Sequence, residues 1–350
     1  TVAYCAIAPE GRTDRHQIWM RPEAVAGLQR LTDAIHSEGA LAAAQLGHAG
    51  AVANSKSNRL PALGPGRIPA PMGMSFTKKV AREDIPGLVA QFATAARLAV
   101  DSGFDGLEIH LGHNYLLSSF LSPMLNRRTD RWGGSLENRA RFARQVVTAV
   151  REAVGDRVAV TAKLNMADGY RGGLEVEDSL QVARWLEEDG ALDAIELTGG
   201  SSLANPMYLF KGDAPVKEFR KTLPWYLRGG FALVGKGFLK QYPYEEAYFL
   251  PMARRYREAL DMPLILLGGI SRLDTAERGL AEGFEFVAMG RALLHDPDLV
   301  EKFRQGSATR SGCIHCNRCM PTIYTGTRCP LVDPRPGDLP IPRRRDAVPA

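Results

Sequence analysis

Two histidines and a tyrosine, His110, His113 and Tyr115, fall within six positions at the end of an apolar strand pattern. They open the stretch 107–142, LEIHLGHNYLLSSFLSPMLNRRTDRWGGSLENRARF. Strands ordinarily end in turn residues rather than in three proton-bearing side chains. Two neutral imidazoles that each donate an N–H can hold a carbonyl oxygen and stabilise negative charge developing on it; one such donor is worth about 3 kcal/mol in comparable sites. Tyr115 adds a phenolic proton, and an ordinary tyrosine pKa of about 10 suits a general acid at neutral pH. A metal site on the two histidines competes with this reading, but no third ligand stands at matching spacing nearby.

The second constellation is Cys313-x2-Cys316-x2-Cys319-x9-Cys329. Three thiolates two residues apart can face one cluster while a fourth closes the cage from a distance, an arrangement that suits [4Fe–4S] ligation. Structural zinc, which more often uses two separated C-x2-C pairs, is the next choice, and a disulfide set the third. Cys5 stands alone in an apolar strand pattern and reads as a small core residue.

Two further groups sit at strand ends. Gly268-Gly269 and Gly290-Arg291 each close a strand and precede a helix. In barrels the loops after the last two strands commonly hold a phosphate, because glycine admits close backbone N–H groups and arginine adds a bidentate clamp. Plain turns are the alternative. Gln45 ends LAAAQL and Lys163 lies near the end of RVAVTAKL. Both are polar residues in otherwise apolar strands, placed at the mouth; a satisfied strand-end amide and a snorkelling lysine are the simpler readings.

The elements that must position these residues are seven strand patterns, at 2–8, 41–46, 104–110, 157–164, 192–198, 263–269 and 284–290. Several are apolar throughout, as strands buried on both faces should be. Helical patterns lie between them. One starts at the N-cap candidate Ser135, repeats apolar residues at Leu136, Ala140, Ala143, Val147, Val150 and Val154, and closes at Gly155-Asp156. Another covers 86–102, with Gly103 as its C-cap. Repeated β–α units indicate a parallel sheet. With no Gly-rich dinucleotide fingerprint after the first strand, and polar groups at several strand C-termini, a closed barrel is favoured. The expected fold is an α/β TIM (β/α)8 barrel whose first strand and helix lie upstream of Thr1. The expected organisation is a barrel at 1–307, a Cys-rich segment at 308–334 and a disordered tail at 335–350. The long connections 47–85 and 199–243 are expected to act as lids or pocket walls.

The bulk properties exclude other classes. A formal charge of +5 over 350 residues, with arginines scattered among acids, argues against a nucleic-acid partner. No apolar run is long enough for a membrane span and no signal peptide is evident, so a cytoplasmic enzyme is expected. The sequence is silent on whether it forms a homo-oligomer.

The stretch IHLGHNYLLSSFLSPMLNRRTDRWGGSLENRARF resembles the signature of the Old Yellow Enzyme family of FMN-dependent NAD(P)H:flavin oxidoreductases, and the C-terminal cysteines resemble its iron–sulfur branch, typified by 2,4-dienoyl-CoA reductase. The resemblance runs from about residue 1 to 330. It implies a TIM barrel with FMN at its C-terminal mouth, Gln45 and Lys163 on the flavin ring, and Gly269, Gly290 and Arg291, beside Gly268, at the phosphate. It also implies His110 and His113 on a substrate carbonyl, Tyr115 as proton donor, and His48 near the pocket. NAD(P)H would be the electron donor and an unsaturated carbonyl or enoyl compound the acceptor. Departures are Asn114 where the family usually has Gly, Ala51 in place of an arginine after His48-Ala49-Gly50, and shorter spacings to the third and the fourth cysteine. The chain also runs out before the downstream FAD or NAD(P)H domain of the larger enzymes. The alternatives are an iron–sulfur relay or demethylase-type enzyme on the same barrel, and a non-catalytic zinc-binding barrel.

Overall fold

The computed structural model describes residues 1–223 and 225–339. Of the expected tail, residues from 340 onward lie outside the described residues; just before them, Arg328 reaches Asp338 at 2.7 Å.

Seven strands form one sheet: β1 (Val2–Ala6), β2 (Ala43–Gly47), β3 (Gly106–Leu111), β4 (Ala159–Asn165), β5 (Ala194–Thr198), β6 (Leu264–Leu267) and β7 (Phe286–Ala288). They run in chain order and every neighbouring pair is parallel. All seven expected strands are there; β2, β3 and β4 start two residues later than expected and run one residue further, and the others are shorter than expected. The sheet is curled as in a TIM barrel, with β1 and β7 at its edges among the described residues.

Helices α1 (Val25–Ser37), α2 (Ile85–Asp101), α3 (Leu136–Val154), α4 (Val176–Glu188), α5 (Leu250–Arg257) and α6 (Leu273–Ala281) follow the strands. Ser135 caps α3, its Oγ accepting from the Asn138 amide at 3.3 Å. Ala140, Ala143, Val147, Val150 and Val154 are buried as the spacing requires, with Leu136 at the edge of the core. Each buried valine contributes about 1.5–3 kcal/mol. Gly155 closes the helix at φ +57°.

Register explains how apolar strands carry polar chemistry. Gln45 pairs with Glu108, His110 with Lys163, and Lys163 with Glu196. Alternation then puts Gln45, Glu108, His110, Lys163, Glu196 and Thr198 on one face. The other face, Leu107, Ile109, Leu111, Val160, Ala162, Leu164, Ile195 and Leu197, is fully buried in the core beneath the helices.

The long connections are more structured than expected. Residues 199–243 contain helices Pro206–Leu209, Val216–Thr222 and Arg228–Phe238, the last two joined by Phe219 stacked on Phe231 at 5.5 Å. Of the aromatics there, Phe210 lines a pocket, whereas Trp225 and Tyr226 are exposed. The cysteine segment is tied to the sheet's end: the Ser311 amide donates to Ser271 O, and Arg318 pairs with Glu218 at 3.0 Å. Among the described residues no helix is long and apolar enough to cross a membrane.

Candidate active site

The turn after β3 brings His110, His113 and Tyr115 together. His113 and Asn114 both adopt positive φ, +61° and +58°, so the asparagine at the family's glycine position keeps the turn. The strain is held by neighbours. The Asn165 side chain accepts the His113 amide at 3.1 Å, the Ser118 hydroxyl donates to Gly112 O at 2.6 Å, and Tyr170 donates to Asn114 Oδ1 at 3.1 Å. Asn165 is itself fixed by donating to Asp168 and Gly200 O.

The hydrogen bonds determine the tautomers. The Gly112 amide can only donate, so His110 Nδ1 accepts from it at 3.1 Å. The remaining His110 proton is on Nε2 and points to His113 Nδ1 at 3.2 Å. His113 then donates from Nε2 to Thr198 Oγ1 at 3.1 Å. This relay needs both rings neutral, and burial keeps them so: it lowers His110 well below the usual histidine range and His113 to about 3. Tyr115 stacks on His110 at 4.5 Å and meets Tyr4 edge-on at 5.3 Å.

Beneath this turn lies a buried ion cluster that the strand patterns did not single out. Lys163 Nζ is 3.2 Å from Glu108 Oε2. It is also 2.8 Å from Glu196 Oε1, as an ion contact outside hydrogen-bond geometry. Gln45 donates to the same Glu108 oxygen. Burial opposes charge on Lys163, but the two carboxylates outweigh it and its pKa is raised. Burial and the Glu108 charge together raise Glu196, while Lys163 and its hydrogen bonds hold Glu108 down against desolvation. The two carboxyl groups are thus pushed apart, Glu108 toward the charged form and Glu196 toward the neutral one, on either side of one ammonium. Glu108 in LEIH and Glu196 in AIELT carried the same signal as Gln45 and Lys163, a charged residue inside an apolar strand. His48 is buried as well. Its Nδ1 accepts the Gly50 amide at 3.0 Å, its Nε2 has no hydrogen-bond partner among the described residues, and burial lowers its pKa to about 4.

At the other end of the face, Gly268, Gly269, Gly290 and Arg291 line one pocket with Leu209, Phe210, Tyr244, Tyr248, Ser271 and His315. Gly268 and Gly269 have φ of +111° and +75°, and a Cβ on either would lie 2.5 Å from Phe249 or Tyr248. At Gly290 a Cβ would meet nothing within 4 Å, so this wall borders open space. The helix after it, Arg291–His295, is too short to add much dipole; the arginine and the backbone carry the anion-binding character. These residues fit a flavin phosphate.

Cys313, Cys316, Cys319 and Cys329 are free thiols, with Cys329 buried. Burial raises Cys313, Cys319 (to about 12) and Cys329, and the thiols' charges act on one another. Among the described residues no three of His, Cys, Asp and Glu converge closely enough for a single metal ion.

Residues 1–199 match the family described as NADH:flavin oxidoreductase / NADH oxidase. The chain is 56% identical over 333 residues to a 4,4'-dithiodibutanoate disulfide reductase of Rhodococcus erythropolis, covering 95% of this chain and 83% of that protein. It is 33% identical to a metal reductase of Desulforamulus reducens, covering 86% of this chain but only 41% of the longer relative. Among solved structures, morphinone reductase in complex with tetrahydroNAD superposes with a TM-score of 0.65 at 25% identity, covering 89% of this chain and 78% of that one.

Proposed function

The chain belongs to the NADH:flavin oxidoreductase / NADH oxidase family and is an oxidoreductase; from that premise we propose that it binds FMN and uses NAD(P)H to reduce the activated C=C bond of an α,β-unsaturated carbonyl compound. Bound FMN supplies the hydride transfer that no side chain can perform. Gly268, Gly269, Gly290 and Arg291 would hold its phosphate, and Gln45 and Lys163 its ring edge.

The observation that carries this reading is the His110–His113–Thr198 relay beside Tyr115. A carbonyl oxygen that replaces Thr198 as acceptor takes the His113 Nε2–H directly. His110, donating into His113, strengthens that donor. The arrangement is one direct donor backed by a second, rather than two donors on one oxygen. Tyr115, over His110, delivers the proton to the carbon next to the carbonyl. Neutral imidazoles suit the task, since they polarise the oxygen without surrendering a proton to it.

The four cysteines are proposed to ligate a [4Fe–4S] cluster, which supplies one-electron transfer when bound. The barrel at 1–307 and this segment at 308–334 then act as one electron-transfer unit. The Rhodococcus relative favours a second reading, in which the acceptor is an organic disulfide.

An anaerobic titration of the purified protein with NADH or NADPH, followed in the visible, tests the whole reading. Bleaching of a flavin spectrum and its return on adding an enone support it; return only on adding a disulfide selects the second acceptor. A colourless protein that carries zinc, without iron or acid-labile sulfide, overturns both the flavin and the cluster.

A further inference from the structure

The phosphate pocket at β6–β7 is not closed by barrel residues alone. Its wall includes His315, whose ring stacks on Tyr244 with centroids 3.3 Å apart and planes 8° from parallel. Two residues on, Asn317 is buried and tied on both sides of its amide. Its Oδ1 accepts from Arg291 Nη1, while its Nδ2 donates to Phe210 O at 2.6 Å and Asp213 O at 3.0 Å. The same Arg291 nitrogen donates to Lys211 O at 2.9 Å. One side chain from the cysteine segment therefore joins the arginine to the loop after β5.

The backbone is shaped for this contact. His315 and Asn317 have φ of +57° and +55°, turning the chain sharply between Cys313 and Cys319. The His315 carbonyl accepts the Asp213 amide at 3.1 Å. It also comes so near Gly212 that a Cβ there would lie 2.2 Å away. Only glycine admits this approach.

We propose that the 313–319 segment is a working part of the phosphate site: Asn317 is a positioning residue that aims Arg291, and His315 forms the pocket wall, so that phosphate binding at β6–β7 requires the cysteine segment to be docked. The inference rests on the FMN reading above. An arginine with four rotatable bonds and no fixed partner loses much of its affinity to conformational freedom; a hydrogen bond to a charged group restrains it. Chemistry at the cysteines then reaches the flavin through this joint, by thermodynamic linkage.

The experiment compares FMN with riboflavin, which differ in the phosphate, by quenching of flavin fluorescence on the full chain stripped of flavin. Asn317→Gly removes the side chain without straining a positive φ. Wild type is expected to prefer FMN. Asn317→Gly should reduce that preference about tenfold with riboflavin affinity intact, and His315→Gly should reduce it less. An unchanged FMN preference in Asn317→Gly overturns the proposal. So does an equal loss of FMN and riboflavin, which marks a purely structural segment. A wild type that binds both flavins alike would instead sink the phosphate assignment itself.

Discussion

The mouth at β3–β5 and the pocket at β6–β7 both present polar groups at strand ends, yet they are held by different means. At β3–β5 the groups hold one another. His110, His113, Thr198, Lys163, Glu108 and Glu196 are buried or nearly so and joined across adjacent strands by register. At β6–β7 the pocket is formed by glycines that leave room and by side chains from distant segments, Tyr244, Tyr248 and His315. The first region is preorganised by the sheet; the second depends on a docked segment. Preorganisation suits the role proposed for the first region, polarising a substrate carbonyl, because donors that need not move cost no reorganisation when charge develops.

The largest effect should come from the proton donor. Tyr115→Phe is expected to slow the half-reaction with an unsaturated carbonyl by about 10²–10⁴-fold and to leave flavin reduction by NAD(P)H unchanged. Stopped-flow measurement of each half separates them, and equal losses would remove Tyr115 from the role of acid.

Next is the ion cluster. Lys163→Met leaves two buried carboxyl groups without a counter-charge and should cost about 3–5 kcal/mol of stability in urea unfolding. Adding Glu108→Gln and Glu196→Gln should restore most of it. A triple variant as unstable as the single one would show that the three residues do not act as a unit.

Acid should distinguish the regions. His113 and His48 have folded pKa values of about 3 and about 4, below the unfolded value of about 6.5. The unfolded chain thus binds more protons between these limits, and stability falls as pH drops through them. Glu196, raised in the fold, works in the opposite sense. The test is therefore a difference: between pH 6.5 and 5, His113→Asn should lose about 2 kcal/mol less than wild type. Parallel slopes would mean His113 is not held neutral by the fold.

The smallest effect divides the glycines. Gly269→Ala, at φ +75° and against Tyr248, should destabilise by about 1–3 kcal/mol. Gly290→Ala, facing open space, should change stability by less than about 0.5 kcal/mol while weakening FMN binding. Thermal unfolding with and without FMN reads both.

All seven strands, the span of α3 and its Ser135 cap were legible, because short apolar runs and a 3.6-residue period leave local signatures. So was the grouping of His110, His113 and Tyr115, which a single turn keeps close. The sharing of one pocket by Gly268, Gly269, Gly290 and Arg291 followed from their place after the last two strands. Glu108 and Glu196 went unremarked although they stand in the open, since a charge in a strand reveals its partner only once register is known. Helices Val216–Thr222 and Arg228–Phe238 were missed because glycine and basic residues blur their period, and a distant Phe219–Phe231 contact holds them.

The sequence by itself determined the seven strands, helix α3 and the family, all properties of short stretches of chain. The tertiary structure alone decided that His110 donates into His113, that Lys163 stands between two carboxyl groups, and that Arg291 donates to Asn317. Those facts join residues 3, 33 and 55, and 26 positions apart. Hydrogen bonds and ion pairs depend on distances of about 3 Å, which periodicity cannot supply and only the packed sheet sets.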